Sequence, residues 1–424
     1  MSAAELAASL AQAQDAKADI ELLRNALAVE SVTGNETPFA RFLEDRLQEI
    51  GLDTGRGEFI EGRENVWGAG PSGGGSGSSL MIVGHSDVVH TRGWKEHWQD
   101  DPRSDPFAGV ERDGAIWGRG ASDLKGGICA AVAALRLLRK AGHELAGGIT
   151  LAFVGDEESG EPGTGVSAGA KDLVRRIESG QIARPDFAVY VEPTGLDVCT
   201  AQIGFFIADV TVAGRTAYFG TPQHGVDALK ATHELLSRIW AHEADLADGP
   251  SHDLLGASSI LATGIEGGGF IAVPGECRLS LIRKLRPGED MDEAVAGFET
   301  ALALADLADG ISVSIDYPAG RDHDLGGTPV EISRDTPAAR LLQACIRQTR
   351  PDAGRIGGAP YWSELPFLVN EIGCPAVYCA PGDIAVAHTF EERIRIDEYL
   401  AAVRAYALFA ARFCGLTESH LSQT

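Results

Sequence analysis

The sequence has no long apolar segment, no paired cysteine pattern and no excess of basic residues. No apolar run approaches the roughly 20 residues that a membrane-spanning helix needs. Residues 1–27 have the pattern of one amphipathic helix and lack the basic start, apolar core and cleavage site of a signal peptide. The seven cysteines are dispersed without a Cys-x-x-Cys motif, which fits reduced thiols better than disulfides. We therefore expect a cytoplasmic protein that does not bind a membrane.

Basic residues are outnumbered by acidic ones. The chain has 36 lysines and arginines against 61 aspartates and glutamates, which gives a formal net charge of −25. The electrostatic field of so negative a protein repels nucleic acids and anionic membrane surfaces, so we expect no nucleic-acid partner. With 424 residues, 44% of them hydrophobic, the chain is long enough for two or three globular domains.

The first half of the chain alternates short apolar runs with helical patterns. Residues 79–85, 148–156 and 186–193 have the composition of buried strands. Between the first two runs, residues 124–142 carry apolar side chains at helical spacing, with Gly142 as the expected stop. This order predicts an α/β domain with parallel neighbouring strands. The glycine- and serine-rich stretch 69–78 is expected to be a surface loop.

The pattern changes between residues 199 and 318. Runs that alternate apolar and polar residues predict antiparallel strands with one solvated face, and two helical patterns accompany them. After residue 319 the α/β pattern returns. We therefore predict a catalytic α/β domain formed by residues 1–198 and 319–424, interrupted by an α+β insert at residues 199–318.

Polar side chains follow the predicted strands where each strand ends. The stretch LAFVGDEESGE (151–161) places Asp156, Glu157, Glu158 and Glu161 close together, although like charges so close repel unless a cation or a proton intervenes. If the strands are parallel, their carboxyl ends deliver these side chains to one crevice.

Other strand ends, and a glycine-rich turn before a predicted helix, add five more potential metal ligands or supporting residues. They are His85 and Asp87 (GHSDVV), Asp123 (GRGASDLKGG), Glu192 (VEPT) and His388 (AHTFEE). Ordinary alternatives exist: His85 as a core histidine, Asp123 as a helix cap, Glu157 and Glu158 as a solvated turn, Glu192 as a surface residue and His388 as a loop histidine. Together, two imidazoles and several carboxylates favour one or two divalent ions, zinc, manganese or cobalt, which would neutralise the cluster.

These motifs, in this order, resemble the metallohydrolase family of acetylornithine deacetylase, succinyl-diaminopimelate desuccinylase, aminoacylase and related carboxypeptidases. The resemblance spans nearly the whole chain, including the insert. It implies that His85 and Glu192 hold one metal ion, that Glu158 and His388 hold the other, and that Asp123 bridges them. It further implies that Asp87 orients His85 and that Glu157 is the general base and acid. The insert would be a lid and a homodimerisation surface.

The sequence departs from the family pattern at the expected substrate contacts. The family has a histidine that stabilises the oxyanion, where this chain has Tyr218 in GRTAYFGTPQHG; His224 lies six residues later. Lys284 stands near a usual arginine, and Ile271 near a usual asparagine.

A fourth departure lies near the C-terminus, where Ser363-Glu364-Leu365 replaces a more usual acidic motif. Tyr361 and Trp362, just before it, could line a pocket or belong to the core.

The resemblance implies a small-molecule substrate and, as the main expectation, an N-acyl amino acid deacylase. One alternative is an aromatic aminohydrolase that hydrolytically deaminates a nitro-substituted anthranilate, because that reaction builds no carbonyl oxyanion and has no need of the missing histidine. A second alternative is a non-catalytic scaffold, which predicts a damaged ligand set, whereas every expected ligand and the base are retained.

Overall fold

The computed structural model describes residues 1–70, 77–159 and 163–417 and divides them into two compact units. The first unit comprises residues 1–200, 332–357 and 367–417, and the second comprises residues 201–331 and 358–366. Residues 319–331, predicted as part of the catalytic domain, thus group with the second unit. Glu161 and most of the predicted loop 69–78 lie outside the described residues.

The helices of the described residues, in chain order, are α1 (Ala3–Ala13), α2 (Ala16–Leu27), α3 (Thr37–Glu49), α4 (Trp94–His97), α5 (Lys125–Lys140), α6 (Ala168–Glu178), α7 (Ala228–Ala247), α8 (Met291–Ala303), α9 (Pro337–Thr349) and α10 (Ile396–Cys414). The strands are β1 (Asp53–Ile60), β2 (Arg63–Ala69), β3 (Leu80–His85), β4 (Val110–Arg112), β5 (Ala115–Trp117), β6 (Ile149–Val154), β7 (Phe187–Tyr190), β8 (Val198–Gln202), β9 (Gly204–Ala213), β10 (Ser251–His252), β11 (Gly256–Ala257), β12 (Ser259–Gly267), β13 (Glu276–Leu285), β14 (Ser312–Asp316), β15 (Gly326–Gly327), β16 (Val330–Glu331), β17 (Ile356–Ala359), β18 (Ala376–Tyr378) and β19 (Arg393–Arg395).

The sheet of the first unit has the order β1-β2-β6-β3-β7-β18. Strands β6, β3, β7 and β18 are parallel, while β2 and β1 add an antiparallel edge. Every residue of β3, β6 and β7 is buried, as expected for parallel strands covered on both faces. The predicted α/β class is confirmed, and the carboxyl ends of β6, β3 and β7 lie side by side.

The N-terminal segment forms two helices where the sequence predicted one amphipathic helix. The break lies at Gln14 and Asp15, and the Asp15 side chain accepts a hydrogen bond from the Ala18 backbone N–H. Aspartate is a favoured N-cap residue because its carboxylate satisfies an N–H that the helix leaves unpaired. The prediction of a single helix was therefore wrong.

The second unit is an antiparallel sheet covered by two helices. Its strands run in the order β12-β13-β9-β14, and the residues of β9 alternate between buried and half-buried. Phe206, Leu281 and Phe298 belong to the core between this sheet and helices α7 and α8. The predicted α+β character of this region is confirmed. All seven cysteines of the chain are buried and free.

Gly127 lets helix α5 approach the end of β7. An added Cβ at Gly127 would lie 2.6 Å from the backbone oxygen of Val191 and 2.8 Å from its Cβ. A backbone oxygen at that distance cannot move without displacing the chain beside Glu192. This glycine therefore belongs to the packing that positions the residues after β7.

We predict that Gly127→Ala destabilises the protein by about 1–3 kcal/mol, the usual cost of overpacking. Gly297→Ala is the matched control, since Gly297 is also helical and its added Cβ would meet nothing within 4 Å. The control should stabilise by roughly 0.5–1 kcal/mol, because alanine favours the helix. Urea unfolding of both variants measures the difference. Equal stabilities would contradict the packing argument.

Candidate metal centre

The carboxyl ends of three neighbouring parallel strands carry most of the candidate residues. His85 is the last residue of β3, Glu157 and Glu158 follow β6, and Glu192 follows β7. Asp123 lies in the turn just before α5. His388 comes from the loop between β18 and β19 and has a positive φ of 60°. The structure brings these side chains together at one end of the sheet.

Asp123 lies between the two imidazoles. Its Oδ1 is 3.1 Å from His85 Nε2, and its Oδ2 is 3.2 Å from His388 Nε2. His85 Nε2 is also 3.4 Å from Glu192 Oε1, and His388 Nε2 is 2.9 Å from Glu158 Oε1. Two sets of potential ligand atoms result, and they share only Asp123.

Each set is tight enough to surround one ion. The first is His85, Asp123 and Glu192, and the second is Asp123, Glu158 and His388. Within each set the potential ligand atoms all lie within 4.8 Å of one another. His85, Glu157 and Glu158 form a further set of the same compactness, which brings Glu157 to the same centre.

The tautomer of His85 supports a cation at this position. His85 Nδ1 lies 3.0 Å from the backbone oxygen of Asp87, which can only accept, so Nδ1 carries the proton. In the neutral ring, Nε2 then presents a lone pair to Asp123 and Glu192. Asp123 Oδ1 is buried and accepts no aligned hydrogen bond from the described residues. Nitrogen and oxygen lone pairs that face one another in this way fit a shared divalent ion.

The pKa values of the cluster show how strongly its charges interact. Burial lowers the pKa of His85, but Asp123 and Glu192 outweigh burial and raise it well above its ordinary value. Asp123 and Glu158 raise the pKa of His388 to about 11. Burial, assisted by Asp123, raises the pKa of Glu158 to about 7. The carboxylates thus need positive charge beside them, and zinc, manganese and cobalt all suit such a donor set.

Asp87 contacts His85 through its backbone oxygen, while its carboxylate holds the neighbouring turn. The carboxylate accepts hydrogen bonds from the backbone N–H groups of Glu157 (3.3 Å) and Glu158 (2.9 Å) and from the Thr33 hydroxyl (3.1 Å). His85 Nδ1 is 3.7 Å from the Asp87 carboxylate. Burial raises the pKa of Asp87 to about 6. The carboxylate of Asp87 therefore orients the turn that carries Glu157 and Glu158.

Asp156, to which the sequence assigned no role, is the centre of a buried network. Its carboxylate accepts hydrogen bonds from Arg63 Nη2 (2.8 Å) and from the backbone N–H groups of Gly165, Val166 and Ala168 (3.1, 3.1 and 3.2 Å). The φ of Asp156 is 74°, a conformation that non-glycine residues seldom adopt. This network fixes the chain on the N-terminal side of Glu157.

Arg63 neutralises two buried carboxylates at once. Its guanidinium also pairs with Glu36, whose carboxylate is fully buried. Burial lowers the pKa of Arg63, but Glu36 and Asp156 outweigh burial and raise it. No local sequence pattern predicts this network, because Arg63 and Asp156 are 93 residues apart in the chain.

The candidate substrate residues all belong to the second unit. Tyr218 is 62% exposed and packs on Phe219 with ring centroids 4.7 Å apart. His224 is exposed in a short 3₁₀ turn. Lys284 Nζ donates a hydrogen bond of 2.6 Å to the backbone oxygen of Leu255.

Tyr361 and Trp362 are half-buried in the same unit. The Trp362 indole N–H donates to the backbone oxygen of Thr328 (3.2 Å), and its ring meets Phe205 edge-on. These contacts are those of a packed side chain. The part of all five residues in substrate binding stays a prediction.

Comparisons with known proteins agree on one family. Residues 81–412 match the model of peptidase family M20/M25/M40. Acetylornithine deacetylase of Myxococcus xanthus is 28% identical over 407 residues, which cover 89% of this chain and 92% of the relative. Succinyl-diaminopimelate desuccinylase of Gluconacetobacter diazotrophicus is 26% identical over 412 residues, which cover 93% and 97%.

Solved structures share the fold. An M20 family metallo-carboxypeptidase from Sulfolobus solfataricus superposes with a TM-score of 0.74 at 16% identity, covering 93% of this chain and 99% of that one. Human carnosine dipeptidase 1 superposes with a TM-score of 0.72 at 16% identity, covering 97% of this chain and 98% of that one. Within the described residues no helix is long and apolar enough to cross a membrane.

We predict that Asp156→Asn destabilises the first unit by about 3–5 kcal/mol, because it leaves a buried arginine partly uncompensated. Glu44→Gln is the control: Glu44 pairs with Arg56 at 2.7 Å, but both side chains are over 20% exposed. Removing such a pair costs about 1 kcal/mol or less. Denaturant unfolding compares the two variants. A similar loss in both would contradict the role of the buried network.

Proposed function

Because the chain belongs to peptidase family M20/M25/M40, whose members are metal-dependent hydrolases of C–N bonds, we propose that it removes an acyl group from the amino nitrogen of an amino acid. The observation that carries this proposal is the pair of potential ligand sets that share Asp123 beside Glu157. The relatives named acetylornithine deacetylase and succinyl-diaminopimelate desuccinylase support the substrate class.

In this proposal His85 and Glu192 would hold one ion, Glu158 and His388 would hold the second, and Asp123 would contribute to both sites. The distances of 2.9–3.4 Å between their nitrogen and oxygen atoms support the division. Zinc, manganese or cobalt, when bound, would polarise the amide carbonyl and lower the pKa of water.

Glu157 is proposed to move the proton. Its side chain is half-buried, and a carboxylate oxygen lies within 4.8 Å of potential ligand atoms of His85 and Glu158. The Asp87 carboxylate holds its backbone N–H, so the side chain starts from a fixed point. Glu157 would accept a proton from the attacking water and pass it to the leaving nitrogen, as a general base and then a general acid.

Tyr218 is proposed to contact the substrate where related enzymes carry a histidine. Its hydroxyl can donate a hydrogen bond but brings no positive charge at neutral pH. Its 62% exposure leaves the side chain available for such a contact. Stabilisation of an amide oxyanion would then depend more on the metal ions than on this residue.

We predict that Glu157→Gln lowers turnover by about 10²–10⁴-fold, the usual contribution of a general base, while metal content stays near that of the wild type. Turnover is measured on N-acyl amino acids, dipeptides and electron-poor aromatic amines, each with zinc, manganese or cobalt. Metal content is measured on the same preparations.

Glu158→Gln and His388→Ala are the companion variants. Both should lower the metal content, which Glu157→Gln should not. Full turnover by Glu157→Gln would refute its role as the base. Turnover of the aromatic amines alone would refute the deacylase proposal in favour of an aminohydrolase.

A homodimer formed through the second unit is also proposed. Strand β12 lies at the edge of its sheet, where unpaired backbone groups can accept another strand. Leu261 and Ile265 on this strand are 62% and 56% exposed, and Trp240 on the packed helix α7 is 52% exposed. Large exposed apolar side chains beside an open sheet edge are typical of a protein interface.

We predict that Leu261→Glu converts the dimer to a monomer, because it buries an unpaired charge at the interface. Leu304→Glu is the control, since Leu304 is 63% exposed and lies beyond α8, outside the edge strand. Sedimentation of the wild type and both variants measures the mass. A monomeric wild type, or a Leu261→Glu variant that stays dimeric, would overturn the proposed interface.

A further inference from the structure

Glu392 holds the turn that carries Asp123. Its Oε1 accepts hydrogen bonds from the backbone N–H groups of Ser122 and Asp123, both at 3.1 Å. Its side chain is fully buried, and it follows His388 by four residues. The Glu392 carboxylate thus links the turn that carries Asp123 to the loop that carries His388.

Arg119 supplies the charge that makes this arrangement possible. Its guanidinium pairs with the second carboxylate oxygen of Glu392 and lies over the Trp94 ring, 5.1 Å from the centroid. Burial raises the pKa of Glu392, against the opposing effect of Arg119. Without Arg119 the Glu392 carboxylate would be an uncompensated buried charge, which destabilises a fold strongly.

The loop that carries His388 also contacts the Asp123 turn through Asp383, which precedes His388 in the chain. The Ser122 hydroxyl accepts from the Asp383 backbone N–H at 2.8 Å and lies 3.3 Å from the Asp383 backbone oxygen. The Trp98 indole also donates to the backbone oxygen of Phe390 at 2.8 Å. His388, which is 54% exposed by its side chain, therefore owes its position to its flanks and not to burial.

We propose that Glu392 is a positioning residue that sets the distance between Asp123 and His388 by accepting the Ser122 and Asp123 N–H groups. The proposal rests on the metal centre described under Proposed function. The acceptor oxygen of residue 392 increases the affinity for metal. This effect is separate from the stability that the ion pair with Arg119 provides.

Two double variants separate these contributions. Both R119M/E392Q and R119M/E392M remove the buried ion pair, so neither leaves an unpaired charge. The glutamine oxygen still accepts from both N–H groups, while methionine offers no comparable acceptor. We expect R119M/E392Q to bind zinc nearly as tightly as the wild type. We expect R119M/E392M to bind it about 10–100-fold more weakly, as for other lost supports of metal ligands.

Affinity is measured on the metal-free full chain by competition with a chromogenic chelator, together with thermal unfolding of each apo protein. The control R283M/E289M removes an ion pair of the second unit between the buried Arg283 and the half-buried Glu289, which also accepts a hydrogen bond from the Arg286 backbone N–H at 2.8 Å. This control should lose thermal stability and keep wild-type zinc affinity. Cobalt absorption spectra of the four proteins report the ligand geometry without any turnover assay.

The outcomes distinguish the inference from the function on which it rests. A wild type that binds no divalent ion would overturn both. A wild type that binds zinc while R119M/E392M binds it equally tightly would overturn the role of Glu392 alone. If R119M/E392M does not fold, Glu392→Asp serves instead, because it keeps the charge and withdraws the carboxylate by one methylene. Wild-type zinc affinity of Glu392→Asp would then overturn the proposal.

Discussion

Buried carboxylate charge is the constraint on which the first unit depends. Seven acidic side chains of this unit are buried: Glu36, Asp87, Asp123, Asp156, Glu158, Glu192 and Glu392. A buried charge is tolerated only where it is paired or hydrogen-bonded. The chain meets this requirement with two buried arginines, two imidazoles and a series of backbone N–H groups. Some of these N–H groups belong to the turns that carry candidate ligands, such as those of Asp123 and Glu158.

The partners divide the carboxylates into two groups. Glu36, Asp87, Asp156 and Glu392 are satisfied by protein donors, mainly backbone N–H groups and arginine, and so serve as supports. Asp123, Glu158 and Glu192 instead face the imidazole nitrogens of His85 and His388. The oxygen atoms of this second group thus face the imidazole nitrogens within the two candidate metal sites. A divalent ion stabilises such an arrangement of lone pairs.

Much of this was predictable from the sequence because the relevant signals are local. Apolar runs followed at once by His85, Glu157, Glu158 and Glu192 indicated strand ends, and parallel pairing of β6, β3 and β7 brings those ends together. Other features had no local signal. The support of Glu157 by Asp87 and the network of Asp156 with Arg63 depend on hydrogen bonds between residues far apart in the chain.

The sequence by itself determined the α/β class, the family resemblance and the residues that meet at the strand ends. These follow from hydrophobic periodicity and from short motifs, which a linear chain displays directly. The tertiary structure alone shows which group each of the neighbouring carboxylates faces. Asp156, Glu157 and Glu158 are consecutive, yet they face Arg63, the candidate metal centre and His388, respectively. The reason is that the role of a charge depends on its partners, and those partners are brought near only by folding.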